Sequence, residues 1–206
     1  MKRLIRTGLL VLAIVPVAAT AVQPAGAEGL LPQCESTPAT EQVFAPWLDG
    51  AHYFAAHNGG FEQGSADWTL TGAATVVNEN ESFKVGDAAD SSGLQLKAGS
   101  SATSTAVCVG IEHPTVRLFV KAPPTLGSAL LIEATVRNPA TGLAVTVPHV
   151  VLGGVNANRW VPTVPLLVTS ALGTLVDAEL TVKITPIGIP ATWRIDDVYV
   201  DPFKSR

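Results

Sequence analysis

Two short stretches hold most of the residues able to do chemistry. One is Asn58-Gly59-Gly60-Phe61-Glu62-Gln63-Gly64, and the other is Trp193-Arg194-Ile195-Asp196-Asp197-Val198-Tyr199-Val200. Adjacent aspartates in an otherwise apolar strand are costly, because a buried carboxylate without a partner loses its hydration and receives nothing in return. Strand alternation puts Arg194, Asp196, Val198 and Val200 on one face, and Trp193, Ile195, Asp197 and Tyr199 on the other. Two arrangements answer the need. Either Arg194 pairs with Asp196 while turn amides serve the other oxygens, or a cation gathers one Asp with Glu62 and backbone carbonyls, the all-oxygen shell that suits Ca2+.

A second chemistry is stacking on sugar rings, which needs an aromatic face with Asn, Gln, Asp or Arg nearby to meet hydroxyls. Aromatics make up only 6% of the chain. The candidates are Trp160, with Arg159 beside it in Asn156-Ala157-Asn158-Arg159-Trp160, and Tyr53 or Trp47 in the stretch from Val43 to His57. Core packing is the competing role for each ring. Catalysis has little support. His52, His57, His113 and His149 fall in no zinc spacing, no G-x-S-x-G elbow occurs, and Glu62 with Glu79 or Glu81 is a carboxylate pair that any acidic chain offers. The expectation is a chain that is not an enzyme. Asn80-Glu81-Ser82 matches the glycosylation triplet, a match common by chance.

Compartment follows from the N-terminus. Lys2, Arg3 and Arg6 precede an apolar run from Leu9 to Ala19, and Ala25-Gly26-Ala27 follows, the layout of a signal peptide spanning residues 1–27. Pro16 and Thr20 leave the run short of a spanning helix. Removing these residues removes three basic groups and no acid, so the formal net charge of −4 becomes about −7. Such a surface repels phosphate backbones and excludes nucleic acid as a natural partner. The expected product is secreted, without a membrane span, and monomeric. In an exported chain two cysteines most simply pair, and a Cys34–Cys108 bridge would close a loop of about 74 residues, worth roughly 4 kcal/mol in the chain-entropy model.

The elements that position these groups are read from periodicity. Only 15% of residues are charged while 47% are hydrophobic, which speaks for a packed domain. Residues 28–57 read as an N-terminal covering segment. From Phe61 the period is two. Thr103 to Ile111 and Leu130 to Arg137 alternate, with further runs at Arg117–Lys121, Leu143–Val147, Val164–Val168, Glu179–Thr185 and Trp193–Val200. Gly/Pro/Asn clusters such as Pro123-Pro124 and Gly153-Gly154 separate them. This predicts an all-β two-sheet sandwich or barrel over residues 58–206.

The opening N-G-G-F-E-x-G with Trp68, the Ser91-Ser92-Gly93-Leu94-Gln95-Leu96 segment and the closing W-R-I-D-D-V-Y-V together resemble the jelly roll of galactose-binding-like and family 4/9-type carbohydrate-binding modules. The run from Phe44-Ala45-Pro46-Trp47 through Gly99-Ser100-Ser101 to Asp201-Pro202-Phe203 is similar to a group of exported proteins of high-GC Gram-positive bacteria. The module resemblance implies a jelly-roll β-sandwich whose first and last strands are neighbours, with a structural Ca2+ at their junction held by Glu62 and Asp196, and less readily Asp197. Alternation instead singles out Asp197 as the needy carboxylate. The function so implied is a secreted, non-catalytic binding module for carbohydrate or another cell-surface polymer. The alternative is a protein–protein interaction or structural component of the cell envelope.

Overall fold

The computed structural model describes residues 39–110, 115–168 and 178–201. Residues 1–27 with the expected signal peptide, the first part of the covering segment and Cys34 lie outside the described residues, whereas Cys108 is at an exposed position of a strand. Along the chain the strands are β1 (Phe54–Ala55), β2 (Trp68–Thr71), β3 (Thr75–Val77), β4 (Gly93–Leu96), β5 (Ser101–Ser104) and β6 (Val107–Val109). They continue with β7 (Thr115–Lys121), β8 (Ser128–Arg137), β9 (Ala144–Leu152), β10 (Trp160–Pro162), β11 (Leu166–Leu167), β12 (Ala178–Gly188) and β13 (Trp193–Val200). No α-helix occurs among the described residues.

Two antiparallel sheets face each other. Sheet I has the order β10-β7-β13-β4-β3, with β1 also on β13 and β11 on β7; sheet II has the order β2-β5-β12-β8-β9, with β6 also on β12. The longest ladder, β8 with β12, shows why alternation was readable. Leu130, Ile132 and Ala134 turn inward with Leu180, Val182 and Ile184, while Glu133 faces Lys183 and Arg137 faces Glu179 on the outer side. Pro148 sits on the edge strand β9, where a missing amide donor is tolerated. The all-β jelly-roll sandwich expected from the sequence is therefore the fold found.

The run expected as one strand from Thr103 to Ile111 is divided. β5 ends at Ser104 and β6 begins at Val107, and between them the Thr105 amide donates to the Asp67 carbonyl at 2.7 Å. The step lets β5 pair with β2 while β6 pairs only with β12.

A larger departure occurs in β13. Asp196 is in register with Phe119 and Tyr199 with Arg117, so three residues of β13 span two of β7. This is a β-bulge. The alternation expected from sequence holds through Asp196 and then slips. Val198 and Val200 join Trp193 and Ile195 in the core, while Tyr199 turns outward. Asp197, with φ 49°, belongs to neither row.

The outward side of sheet I carries a second apolar layer. Residues 39–55 cross it, with a bridge between Glu41 and Tyr53, a 3-10 turn at Ala45–Trp47, and β1 paired to β13 through Phe54↔Val200. Phe44 stacks on Phe119 at 5.5 Å and meets Tyr53 and Tyr199 edge-on at 4.9 and 5.7 Å. First and last strands of the described body are thus neighbours. Beyond β1 the chain folds back over the bulge: Ala56 N–H donates to the Val198 carbonyl and Val198 N–H to the Gly59 carbonyl.

Gly59 has no room for a side chain there, since a Cβ would stand 2.6 Å from the Val198 oxygen and 3.2 Å from that of Ala56. Gly59→Ala is expected to lower stability by about 1–3 kcal/mol in urea unfolding. An unchanged midpoint would mean that this loop does not pack on the bulge.

Candidate functional site

The bulge gathers acidic groups from distant parts of the chain. Asp197 is only 5% exposed and its Oδ2 has no hydrogen-bond partner. Backbone crowds the other oxygen. A Cβ at Gly60 would lie 3.1 Å from Asp197 Oδ1, and one at Gly86 would lie 3.2 Å from the same atom and 2.5 Å from Asp90 Oδ2. Burial pushes the Asp197 carboxyl up to about 7, with Glu81, Asp90 and Glu62 adding repulsion and Lys84 opposing it.

The neighbouring carboxylates act on backbone amides. Asp196 Oδ2 accepts from Glu81 N–H at 2.7 Å and Oδ1 from Asp197 N–H at 2.9 Å. Burial nevertheless raises the Asp196 carboxyl, helped by the charge of Asp197. Glu81 accepts from the amides of Phe83 and Val85. Glu62 Oε1 accepts from Ser91 and Ser92 N–H at 2.8 and 2.6 Å. Among the described residues no three acidic, histidine or cysteine groups converge as a ready metal cage. The structure therefore brings Glu62, Asp196 and Asp197 into one neighbourhood, and Asp197 is the one left unserved. Arg194, one proposed partner for Asp196, instead bonds Glu79 at 3.1 Å, and Lys121 takes the other Glu79 oxygen at 2.7 Å. The connection between β3 and β4 delivers Glu79 to this face, a long-range placement that alternation within β13 does not reveal.

A second polar cluster fastens the covering segment. Arg117 projects from the outer face of β7 and is buried. Its Nη1 lies 2.6 Å from Asp49 Oδ2, its Nε and Nη2 donate to the Thr163 carbonyl at 2.9 and 2.6 Å, and its guanidinium sits 4.1 Å over the Phe44 ring. Tyr53 donates its hydroxyl to the same Asp49 oxygen at 2.8 Å. Burial alone would raise the Asp49 carboxyl, but Tyr53, the Ala51 amide and Arg117 outweigh it and hold it below its ordinary 3.8. Burial drives the Tyr53 phenol upward.

Beside this cluster opens a cleft of about 920 Å³ between the covering segment and the β10–β11 region, lined in part by Trp47, His52, Tyr53, Arg117, Asn156 and Thr163. Tyr53 is on its wall but 1% exposed, with its hydroxyl committed to Asp49. Trp160 is 8% exposed and packs in the aromatic layer with Phe119 and Tyr199, so the open platform anticipated for it is absent. Pairing of β10 with β7 lays this ring onto that layer. Arg159 is exposed and does not line the cleft. Trp47, half-buried on the cleft wall, is the better-placed ring, and the density of aromatics from Val43 to His57 was the signal for it.

No family model matches the sequence, and no curated protein matches it. Solved structures do share the fold. The Clostridium thermocellum xylanase 10B CBM22-1–GH10 modules complexed with xylohexaose superpose with a TM-score of 0.52 at 16% identity, over 74% of this chain and 29% of that one. The arabinose-bound MgGH51 α-L-arabinofuranosidase gives 0.50 at 18% identity, over 74% and 27%. A xylan-binding domain from CBM 22 gives 0.45 at 14% identity, over 77% and 99%. The chain thus spans less than a third of the two enzyme chains, and the likeness is one of β-sandwich fold.

Asp49 supplies a signed prediction. Because its folded value is depressed, the stability it contributes is present above the ordinary carboxylate range and is lost as pH falls below it. Asp49→Asn, which leaves buried Arg117 without its counter-charge, should cost on the order of 3 kcal/mol near neutral pH. The gap from the parent protein should close on acidification. Parallel stability profiles down to strongly acidic pH would remove the ion pair from this role.

Proposed function

We propose that the chain is an exported, non-catalytic binding module whose cleft takes a carbohydrate or another polymer displayed at the cell surface. The cleft beside Asp49 and Arg117 carries this reading: it joins a half-buried Trp47 ring with polar groups of Asn156 and His52, the combination that sugar stacking with hydroxyl recognition calls for. The sandwich shared with modules of carbohydrate-active chains agrees with it. Glycoside hydrolysis needs a carboxyl held protonated opposite an ionised one. Two carboxylates, Asp49 and Asp201, line the cleft. Asp49 is held ionised and engaged by Arg117 and Tyr53, and Asp201 Oδ2 accepts from the Thr115 hydroxyl at 3.3 Å, so both are tied to structural partners, which favours binding over hydrolysis. Export rests on the sequence of residues 1–27, and no helix among the described residues is long and apolar enough to cross a membrane.

Glycan-array screening followed by titration calorimetry tests the ligand class. Trp47→Ala is expected to weaken binding at least about tenfold, equivalent to about 1.4 kcal/mol. Because Trp47 also packs on Phe83 and Phe119, Asn156→Gly, which removes an exposed side chain and keeps the positive φ of that position, serves as a second variant with no core role. Absence of any glycan ligand, or binding that neither change affects, would overturn the reading.

Within the same proposal the bulge holds one structural Ca2+. The orphaned Asp197 Oδ2 and the surrounding surplus of carboxylates fit a hard cation with oxygen ligands, and Glu62 and Asp196 are the carboxylates nearest in sequence logic to complete its shell. Binding to the folded state alone would raise the thermal midpoint by several degrees in excess Ca2+, and EDTA would reverse it. Asp197→Asn, a residue that also tolerates positive φ, should fold and lose this response. A midpoint indifferent to both Ca2+ and EDTA would dismiss the metal and leave the cleft untouched.

A further inference from the structure

Three connections meet at one end of the sandwich: residues 122–127 between β7 and β8, 153–159 between β9 and β10, and 189–192 between β12 and β13. Register places Leu152 and Ile187 on either side of Ala129. Backbone bonds then tie the loops to one another. Ile189 N–H donates to the Gly127 carbonyl at 2.9 Å, Gly153 N–H to that of Ser128 at 2.8 Å, and Gly154 N–H to that of Pro123 at 2.8 Å.

Aliphatic side chains stand out from this frame. Leu126 is 76% exposed, Leu152 61%, Val155 60% and Ile189 54%, and Val150 and Ile187 continue the set onto β9 and β12. Residues 122–132, 147–158 and 184–193 hold no Asp, Glu, Lys or Arg. Farther along the same outer face the sheet returns to charge, with Glu133 beside Lys183 and Glu179 beside Arg137. Scattered apolar residues on a surface are ordinary, whereas a contiguous uncharged group of large ones marks a contact.

Size and charge choose the occupant. A stable protein interface uses about 20–30 residues a side. Six exposed apolar side chains, three on the loops and three at the adjoining ends of β9 and β12, fall well short of that, which disfavours a second copy of the chain. A lipid surface needs only the tips to enter, and loops already held by backbone bonds lose little freedom in doing so. Anionic headgroups attract clustered Lys and Arg. These loops carry a single one, the exposed Arg159 at the β10 end of the β9–β10 connection, and so no cluster, on a chain whose net charge is negative. We infer that this end of the sandwich docks on a lipid surface of zwitterionic or uncharged headgroups, with Leu126, Leu152, Val155 and Ile189 entering the acyl boundary. The proposal is independent of what the cleft binds.

Co-sedimentation of the exported, processed chain with phosphatidylcholine vesicles, and separately with phosphatidylglycerol vesicles, tests it. The chain should pellet with phosphatidylcholine vesicles with little dependence on salt. The double variant Leu126→Ser/Ile189→Ser should lose at least about tenfold in partitioning, with an unchanged circular dichroism spectrum and thermal midpoint. Leu143→Ser, an exposed aliphatic next to the opposite end of β9, should bind as the parent does. Pelleting no greater than without vesicles would overturn the proposal. So would an equal loss in Leu143→Ser, binding confined to phosphatidylglycerol at low salt, or a concentration-dependent dimer that the double variant dissolves.

Discussion

The extra residue in β13 governs both sides of sheet I. Up to Asp196 the strand feeds Trp193 and Ile195 to the core; beyond the bulge it feeds Val198 and Val200 to that same core and turns Tyr199 outward to meet Phe44. Without the slip, the second half of the strand would send Asp197 and Tyr199 into the apolar interior and two valines into the aromatic layer. A buried carboxylate in that position has no compensating donor. The bulge moves the charge out of the interior and confines it to a pocket bounded by Gly60 and Gly86, where side chains would collide with it. The geometry of the acidic neighbourhood is thus a by-product of solving a packing problem in the last strand.

Around that pocket the carboxylates divide into two kinds. Glu62, Glu81 and Asp196 each accept backbone amides from loops that have no ladder of their own, so negative charge here substitutes for sheet hydrogen bonding. Asp197 Oδ2 lacks such a donor. On the other flank the same principle runs with opposite sign, since buried Arg117 gathers Asp49, the Thr163 carbonyl and the Phe44 ring into one anchor. The covering segment is therefore held by a charge in its middle and by β1 at its end.

Much of this architecture was legible before any coordinates. In β8, β12 and the first half of β13, one face is buried and the other is wet or covered by polar groups, so period-two patterning carries the register directly. The closeness of Glu62 to Asp197 was also within reach, because the resemblance implied that the two ends of the sandwich adjoin, although the opening motif is a turn laid over the bulge and not a strand. What sequence patterning misses is local or long-range geometry. A bulge leaves no mark in hydrophobic alternation when the residue inserted is a second Asp. The break at Thr105 depends on the Asp67 carbonyl, and the capture of Arg194 depends on Glu79, both far away in the chain. Trp160 has the neighbours of a sugar platform in Asn158 and Arg159, but the ring is claimed by the layer that covers sheet I.

The arrangement of the covering segment imposes an order on assembly. Phe44 and β1 precede every other strand in the chain, yet the surfaces they rest on are β7 and β13, and the latter is made last. A chain emerging from its N-terminus must hold several exposed aromatic rings unsatisfied until nearly all of it has been delivered. Closure is then a late, long-range event of the kind that slows β-rich proteins and leaves them open to aggregation in the interval.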